Sequence, residues 1–236
     1  MEEKVNGIVL GGVNYGENDK ILSIFTPEGT VSAGIKGVKK AGAKLKFATQ
    51  PFCFAEFIFS TKASKKTVIG ASLIDSFYPV REDVIKYFCA CTVTEFVRHF
   101  VKEKMDSPEL FVLTVDALRR IAYGEEPSRA VTAFFLLFAL KESGYGLNLN
   151  GCALCGCPIT SKPYFDYTCG GFLCEPCHND KCREINLATF IALKKLEQGE
   201  VVSDEEATYA LRLLNFYLTN KTEETLKSLK ELLKTE

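Results

Sequence analysis

From Lys4 to Phe77 the chain alternates short runs of β-branched and aromatic residues with clusters of turn residues, and later the apolar period changes. The first pattern predicts a small barrel or sandwich. Five strands are expected, at Lys4–Leu10, Lys20–Phe25, Thr30–Ile35, Phe52–Ser60 and Thr67–Ile74. Tyr15-Gly16-Glu17-Asn18-Asp19, Pro27-Glu28-Gly29 and Lys62-Ala63-Ser64-Lys65-Lys66 have the chemistry of turns. Five strands with one long connection, here Gly37 to Gln50, is the element count of an OB-fold. An SH3-like barrel has a similar count, so periodicity alone does not choose between them.

After Tyr78-Pro79 the residues Ile85, Phe88, Val93, Phe96, Val97 and Phe100 recur at helical spacing. Further helices are expected at Leu110–Ala122, with Ser107 as cap and Pro108 at the first position, and at Arg129–Ser143. The latter is apolar nearly all round, as suits the centre of a bundle, and Gly144 and Gly146 end it. Leu187–Leu196, Ser203–Leu218 and Glu223–Leu233 form three amphipathic segments. Ser203-Asp204-Glu205-Glu206 and Thr222-Glu223-Glu224 put acids in expected first turns, where they suit the helix dipole.

A chain of 236 residues with 47% hydrophobic composition buries a large core. Its formal charge of -1 conceals an asymmetry. Residues 1–79 carry ten Lys and no Arg against seven acids, a balance of +3 that leaves -4 for the remainder. Lys36, Lys39, Lys40, Lys44, Lys46, Lys62, Lys65 and Lys66 fall in a stretch whose one acid is Glu56. Loops flank the strand-binding groove of an OB-fold, so these eight Lys are the expected nucleic-acid contacts. Each phosphate they neutralise would release counterion, giving salt-sensitive affinity that ignores sequence. Tyr15 is the expected stacking ring, while Phe52, Phe54, Phe57 and Phe59 default to core packing. Phe52 and Phe54 are expected to share a face, and Phe57 and Phe59 to lie on different ones.

The N-terminus has no basic start followed by an apolar stretch, so a cytoplasmic chain is expected. The longest apolar run, Ala130–Leu140, is too short to span a bilayer. In a reducing compartment, clustered Cys point to metal and scattered Cys to core packing. Cys152-Ala153-Leu154-Cys155 and Cys174-Glu175-Pro176-Cys177 are two Cys-x-x-Cys pairs with 18 residues between them. This spacing suits one structural zinc ion held by Cys152, Cys155, Cys174 and Cys177, with the insert closing as a hairpin. Cys157, Cys169, His178 and Cys182 lie close by and are read as spectators, Cys169 on a hairpin turn. A deaminase would need His-x-Glu upstream of Pro-Cys-x-x-Cys, and neither is present. No His-Glu-x-x-His, Gly-x-Ser-x-Gly or Walker phosphate loop occurs, and Gly11, Gly12 and Gly16 read as turn or bulge glycines.

The order of these parts resembles the bacterial RecO family of recombination mediators. Gly7-Ile8-Val9-Leu10, Tyr15-Gly16-Glu17-Asn18-Asp19-Lys20-Ile21-Leu22, Thr26-Pro27-Glu28-Gly29 and Lys36-Gly37-Val38-Lys39-Lys40 carry the likeness. It continues through Gly144-Tyr145-Gly146-Leu147 and Cys152-Ala153-Leu154-Cys155-Gly156, then fades in the last helices. The resemblance implies a non-enzymatic repair protein that binds single- and double-stranded DNA and anneals complementary strands. It implies RecR as partner, and help in loading recombinase RecA onto strands coated by single-strand-binding protein, with nucleoid association during repair. The stretch between the Cys pairs has only Lys162 as a basic residue, so DNA contact through the zinc module is not expected.

The expected fold is therefore α+β and multidomain. An N-terminal five-stranded OB-fold barrel occupies residues 1–79, and an α-helical domain occupies 80–236 with an inserted four-Cys zinc module at about 150–182. A non-catalytic adaptor whose Lys stay solvated, and a hydrolase using the zinc, are the competing readings.

Overall fold

The computed structural model describes residues 2–235. Five strands, β1 (Glu2–Tyr15), β2 (Asp19–Thr26), β3 (Gly29–Ile35), β4 (Phe54–Lys62) and β5 (Lys65–Asp75), close a barrel in the order β1-β2-β3-β5-β4. β3 and β5 run parallel, and every other neighbouring pair is antiparallel. This closure makes the barrel OB-like. Leu22, Ile24, Ala33, Ile35, Ala55, Phe57, Phe59 and Val68 fill its interior at the two-residue period of strands. Phe57 and Phe59 thus share the inner face, their rings stacked at 6.0 Å, because residues two apart on a strand point the same way. That overturns the expectation that placed them on different faces. Phe52 precedes β4 at φ 67, and both Phe52 and Phe54 pack toward the helices instead.

The connection between β3 and β4 tucks Val38 and Ala48 under the barrel and holds a short 3-10 helix at Phe47–Thr49. The turn between β4 and β5 is tighter than expected, since Lys62 pairs directly with Lys65. Ala63 and Ser64 take φ values of 47° and 63°, which a two-residue hairpin turn of type I′ demands. β1 bulges between Val9 and Gly11.

Among the described residues six α-helices follow: α1 (Val84–Phe100), α2 (Pro108–Tyr123), α3 (Ser128–Glu142), α4 (Leu187–Glu197), α5 (Asp204–Thr222) and α6 (Lys227–Leu232). The apolar α3 is the centre of this bundle, packed against α1, α2, α4 and α5. Asp83 caps α1 by accepting from the Lys86 N–H at 2.8 Å. Ser203 and Glu206 form a reciprocal capping box on α5. Two expected helix starts differ. Ser107 makes no side-chain cap on α2, because its hydroxyl donates to the Met105 carbonyl at 3.0 Å. Thr222 closes α5 and Glu223 follows at φ 61, so α6 begins only at Lys227.

One apolar core joins barrel and bundle. The faces of β1 and β2 that turn away from the barrel interior present Ile8, Leu10 and Phe25 to the helices, so these strands are buried on both sides. Phe111 of α2 receives the rings of Phe25 at 5.4 Å and Phe54 at 6.1 Å, both edge to face. The turn between β2 and β3 seats on the α1–α2 connection, where the Thr30 N–H donates to the Lys102 carbonyl and the Ser107 N–H to that of Pro27. Gly29 sits there at φ 106, and a Cβ on it would lie 2.7 Å from the Lys102 oxygen.

Between α3 and α4 lies a second sheet of β6 (Asn148–Cys152), β7 (Tyr164–Asp166), β8 (Gly171–Leu173) and β9 (Arg183–Glu184), ordered β6-β8-β7-β9. Phe165 and Phe172 anchor it on Tyr217 of α5 and Phe190 of α4. The β7–β8 hairpin leads directly into the second Cys pair. None of the described helices is long and apolar enough to cross a membrane.

Candidate nucleic-acid interface and metal centre

The two Cys pairs converge. Cys152 ends β6 and Cys155 lies in the turn that follows, while Cys174 leaves β8 and Cys177 ends a short 3-10 turn. Within the first knuckle the Gly156 N–H donates to the Cys152 carbonyl at 2.9 Å, and the Cys152 N–H to that of Cys157 at 2.9 Å. In the second, the Cys177 and His178 N–H groups both donate to the Cys174 carbonyl. Gly151, at φ 131, lets the chain pass so close that a Cβ would lie 2.8 Å from the Cys157 oxygen. A bond from the Ala153 N–H to the Phe172 carbonyl, 2.8 Å, ties the first knuckle to the strand that carries the second.

The four sulfurs lie within 4.8 Å of one another, and the Cys155–Cys174 pair is 3.6 Å apart. A tetrahedral ion with bonds of about 2.3 Å holds its sulfurs roughly 3.8 Å apart, so the arrangement fits a metal. The thiols themselves are unequal. Burial works to raise Cys152, yet backbone hydrogen bonds from Cys155, Cys174 and Leu154 bring it down to about 6. Hydrogen bonds with Cys174 and Cys155 push Cys177 up to about 12. A divalent cation deprotonates the thiols that bind it.

The neighbouring candidates have other occupations. Cys169 sits in the β7–β8 turn, its thiol 3.6 Å from the Asp166 carbonyl, and Cys182 reaches Asn179 Oδ1 at 3.5 Å. His178 stacks on Tyr164 at 4.0 Å. Cys157 is exposed and contributes its carbonyl to the first knuckle.

On the barrel, a groove of about 470 Å³ crosses the outer face of β2 and β3. The turns β1–β2 and β4–β5 flank it, which is where OB-folds bind oligonucleotides. Lys20, Lys36, Lys65 and Lys66 line it, together with Tyr15, which is 63% exposed. Two lining groups are already committed. Asp19 accepts from the Gly37 N–H at 2.7 Å, and Lys66 pairs with Glu3 at 3.0 Å. Lys20, Lys36 and Lys65 have no ion-pair partner among the described residues.

Comparison with known proteins gives the family. The recombination protein O C-terminal model matches residues 81–230, and the N-terminal model matches 1–77. The chain belongs to the RecO family. A DNA repair protein RecO of Myxococcus xanthus (strain DK1622) is 30% identical over 230 residues, covering 94% of this chain and 93% of the relative. One from Anaeromyxobacter sp. (strain K) is 33% identical over 202 residues, covering 83% and 79%. The RecO match runs to residue 230, beyond the point where the likeness read from the sequence faded.

In this RecO-family chain the eight Lys singled out by charge divide by position. Lys36, Lys65 and Lys66 line the groove. Lys39, Lys40, Lys44 and Lys46 are exposed on the β3–β4 connection, and Lys62 is exposed on the β4–β5 hairpin; none of these five lines it. The Lys39 N–H donates to the Asn18 carbonyl at 3.0 Å, so that connection runs beside the groove's β1–β2 end. Lys20 was missed. It follows a turn acid and stands alone in sequence, and only the pairing of β2 with β3 brings it beside Lys36.

Proposed function

We propose that this chain binds single-stranded DNA in the β2–β3 groove and acts, without catalysing a reaction, as a mediator of recombinational repair. The observation that supports this reading best is the meeting of three uncommitted cations, Lys20, Lys36 and Lys65, with the exposed Tyr15 ring on one OB face. Cations neutralise phosphates and a ring stacks on any base, so the expected binding is indifferent to sequence. A strand held by its phosphates keeps its base edges free, and neutralised strands repel one another less. Annealing of complementary strands follows from those two properties. RecR as partner, double-stranded DNA as a further ligand, and assistance to RecA on strands coated by single-strand-binding protein rest on RecO membership alone.

The four Cys are assigned one structural zinc ion, which would tie β6 to β8 and hold the small sheet against α4 and α5. Four thiolates fill a tetrahedral shell and leave no position for water or substrate.

Binding of a labelled single strand across a salt series tests the reading. Wild type should lose affinity as salt rises, and Lys36→Ala with Lys65→Ala should weaken binding on every sequence. Each lost phosphate contact should make the slope of log affinity against log salt shallower by about 0.7. Salt-insensitive binding, or a double variant with the wild-type slope, would reject the groove.

A further inference from the structure

The groove does not stop at Lys66. A second depression of about 180 Å³, lined by Glu28, Thr30, Val31, Ser32 and Lys104, continues it toward the β2–β3 turn. The two share Ser32, Ser64, Lys66 and Glu103. The two therefore adjoin at these four residues, one of which, Ser64, is at the tip of the β4–β5 hairpin. Another, Glu103, belongs to the α1–α2 connection and so to the helical part of the chain.

Charge changes at that junction. The first half holds Lys20, Lys36, Lys65 and Lys66 against Asp19 and Glu103, whereas the second holds Lys66 and Lys104 against Glu28 and Glu103. Lys66 is spent on Glu3, and Asp19 on the Gly37 N–H. What remains is Glu103 at the junction, with one cation, Lys104, and one acid, Glu28, beyond it. Glu103 is exposed and makes neither a hydrogen bond nor an ion pair among the described residues. The segment just before it is tied to the β2–β3 turn. The neighbouring Lys102 carbonyl accepts from the Thr30 N–H, the Val101 carbonyl accepts from the Thr30 hydroxyl at 3.3 Å, and Gly29 packs against the same segment.

We propose that Glu103 ends the phosphate path in this groove: the helical part of the chain places a negative charge where a bound single strand would otherwise continue toward Lys104. The proposal rests on the DNA-binding reading and adds to it a residue that sets strand footprint. A carboxylate without a partner repels a phosphate brought within a few ångströms, and the bonds from Thr30 to Val101 and Lys102 keep the segment that carries it beside the groove. The strand is therefore confined to the half bounded by Tyr15, Lys20, Lys36 and Lys65.

The test uses the full chain and oligothymidylates of increasing length. Glu103→Gln should bind long single strands roughly threefold to tenfold more tightly than wild type, the scale of one charge pair at several ångströms in a watery setting. The length at which affinity stops rising should increase, and the salt slope should steepen by about 0.7 for one added phosphate contact. Glu125→Gln is the control for net charge, because Glu125 is exposed beyond the far end of α2 from this segment. If wild type binds with the expected salt dependence but Glu103→Gln matches it in affinity and plateau length, the stop is refuted and the groove reading stands. Equal gains in Glu103→Gln and Glu125→Gln would refute the stop as well. Absence of binding by wild type would remove both.

Discussion

The ring of Phe25 on β2 meets the ring of Phe111 on α2 edge to face, with centroids 5.4 Å apart. Phe54 adds a second edge at 6.1 Å, so a single helix side chain locks two strands of the barrel to the bundle. The α1–α2 connection that carries Glu103 is held beside the groove by the same junction, which makes the shared core a condition for the groove's shape.

Replacing Phe111 by Ala should therefore cost roughly 3–5 kcal/mol, the range for deleting a buried aromatic ring. The chain has no Trp, so denaturant unfolding is best followed by circular dichroism. Wild type should unfold in one transition, and Phe111→Ala should either shift it far down or split it in two. A shift worth under about 1 kcal/mol would show that the junction contributes little.

One zinc ion per chain is expected, and Cys152→Ser with Cys174→Ser should abolish it and loosen the small sheet. Structural zinc contributes folding free energy directly, so a chelator should lower the melting temperature of wild type but not of the double variant. Cys157→Ser and Cys169→Ser should retain full metal. Full occupancy in the Cys152→Ser, Cys174→Ser chain would show that other residues hold the ion.

Glu95 fastens the C-terminal helix. It is buried on α1 and accepts from both the N–H and the hydroxyl of Ser228, at 2.8 and 2.7 Å. Burial pushes its pKa up, but these hydrogen bonds, another from the Lys227 backbone and the charge of Arg98 outweigh burial and leave it lowered. A lowered folded-state pKa means stability that is present above the unfolded value of about 4.3 and is lost as pH falls through the folded one. Glu95→Gln should destabilise the chain by roughly 2 kcal/mol at neutral pH and flatten the acid limb of its stability curve. Melting temperatures from pH 3 to 7 would decide this, and parallel acid limbs in both proteins would refute it.

Much of this chain was legible without coordinates because its signals are local. Alternation over a few residues identified five strands, a period near 3.6 identified six helical segments, and two Cys-x-x-Cys pairs identified four thiols, since each pattern acts within a turn or a knuckle. Closure of the barrel was not legible: the choice between OB-like and SH3-like order depends on β3 running parallel to β5 across more than thirty residues of chain. The groove's charges were legible only in part. A run of Lys marks a basic segment, but Lys20 joins Lys36 through strand pairing, and Lys39, Lys40, Lys44, Lys46 and Lys62 do not line the groove. Glu103 was silent altogether. An exposed acid in a helix connection has no local signature, and its place at the groove comes from Gly29, Thr30 and Lys102 docking the two parts of the chain together, a contact between residues some seventy positions apart that only the folded core can make.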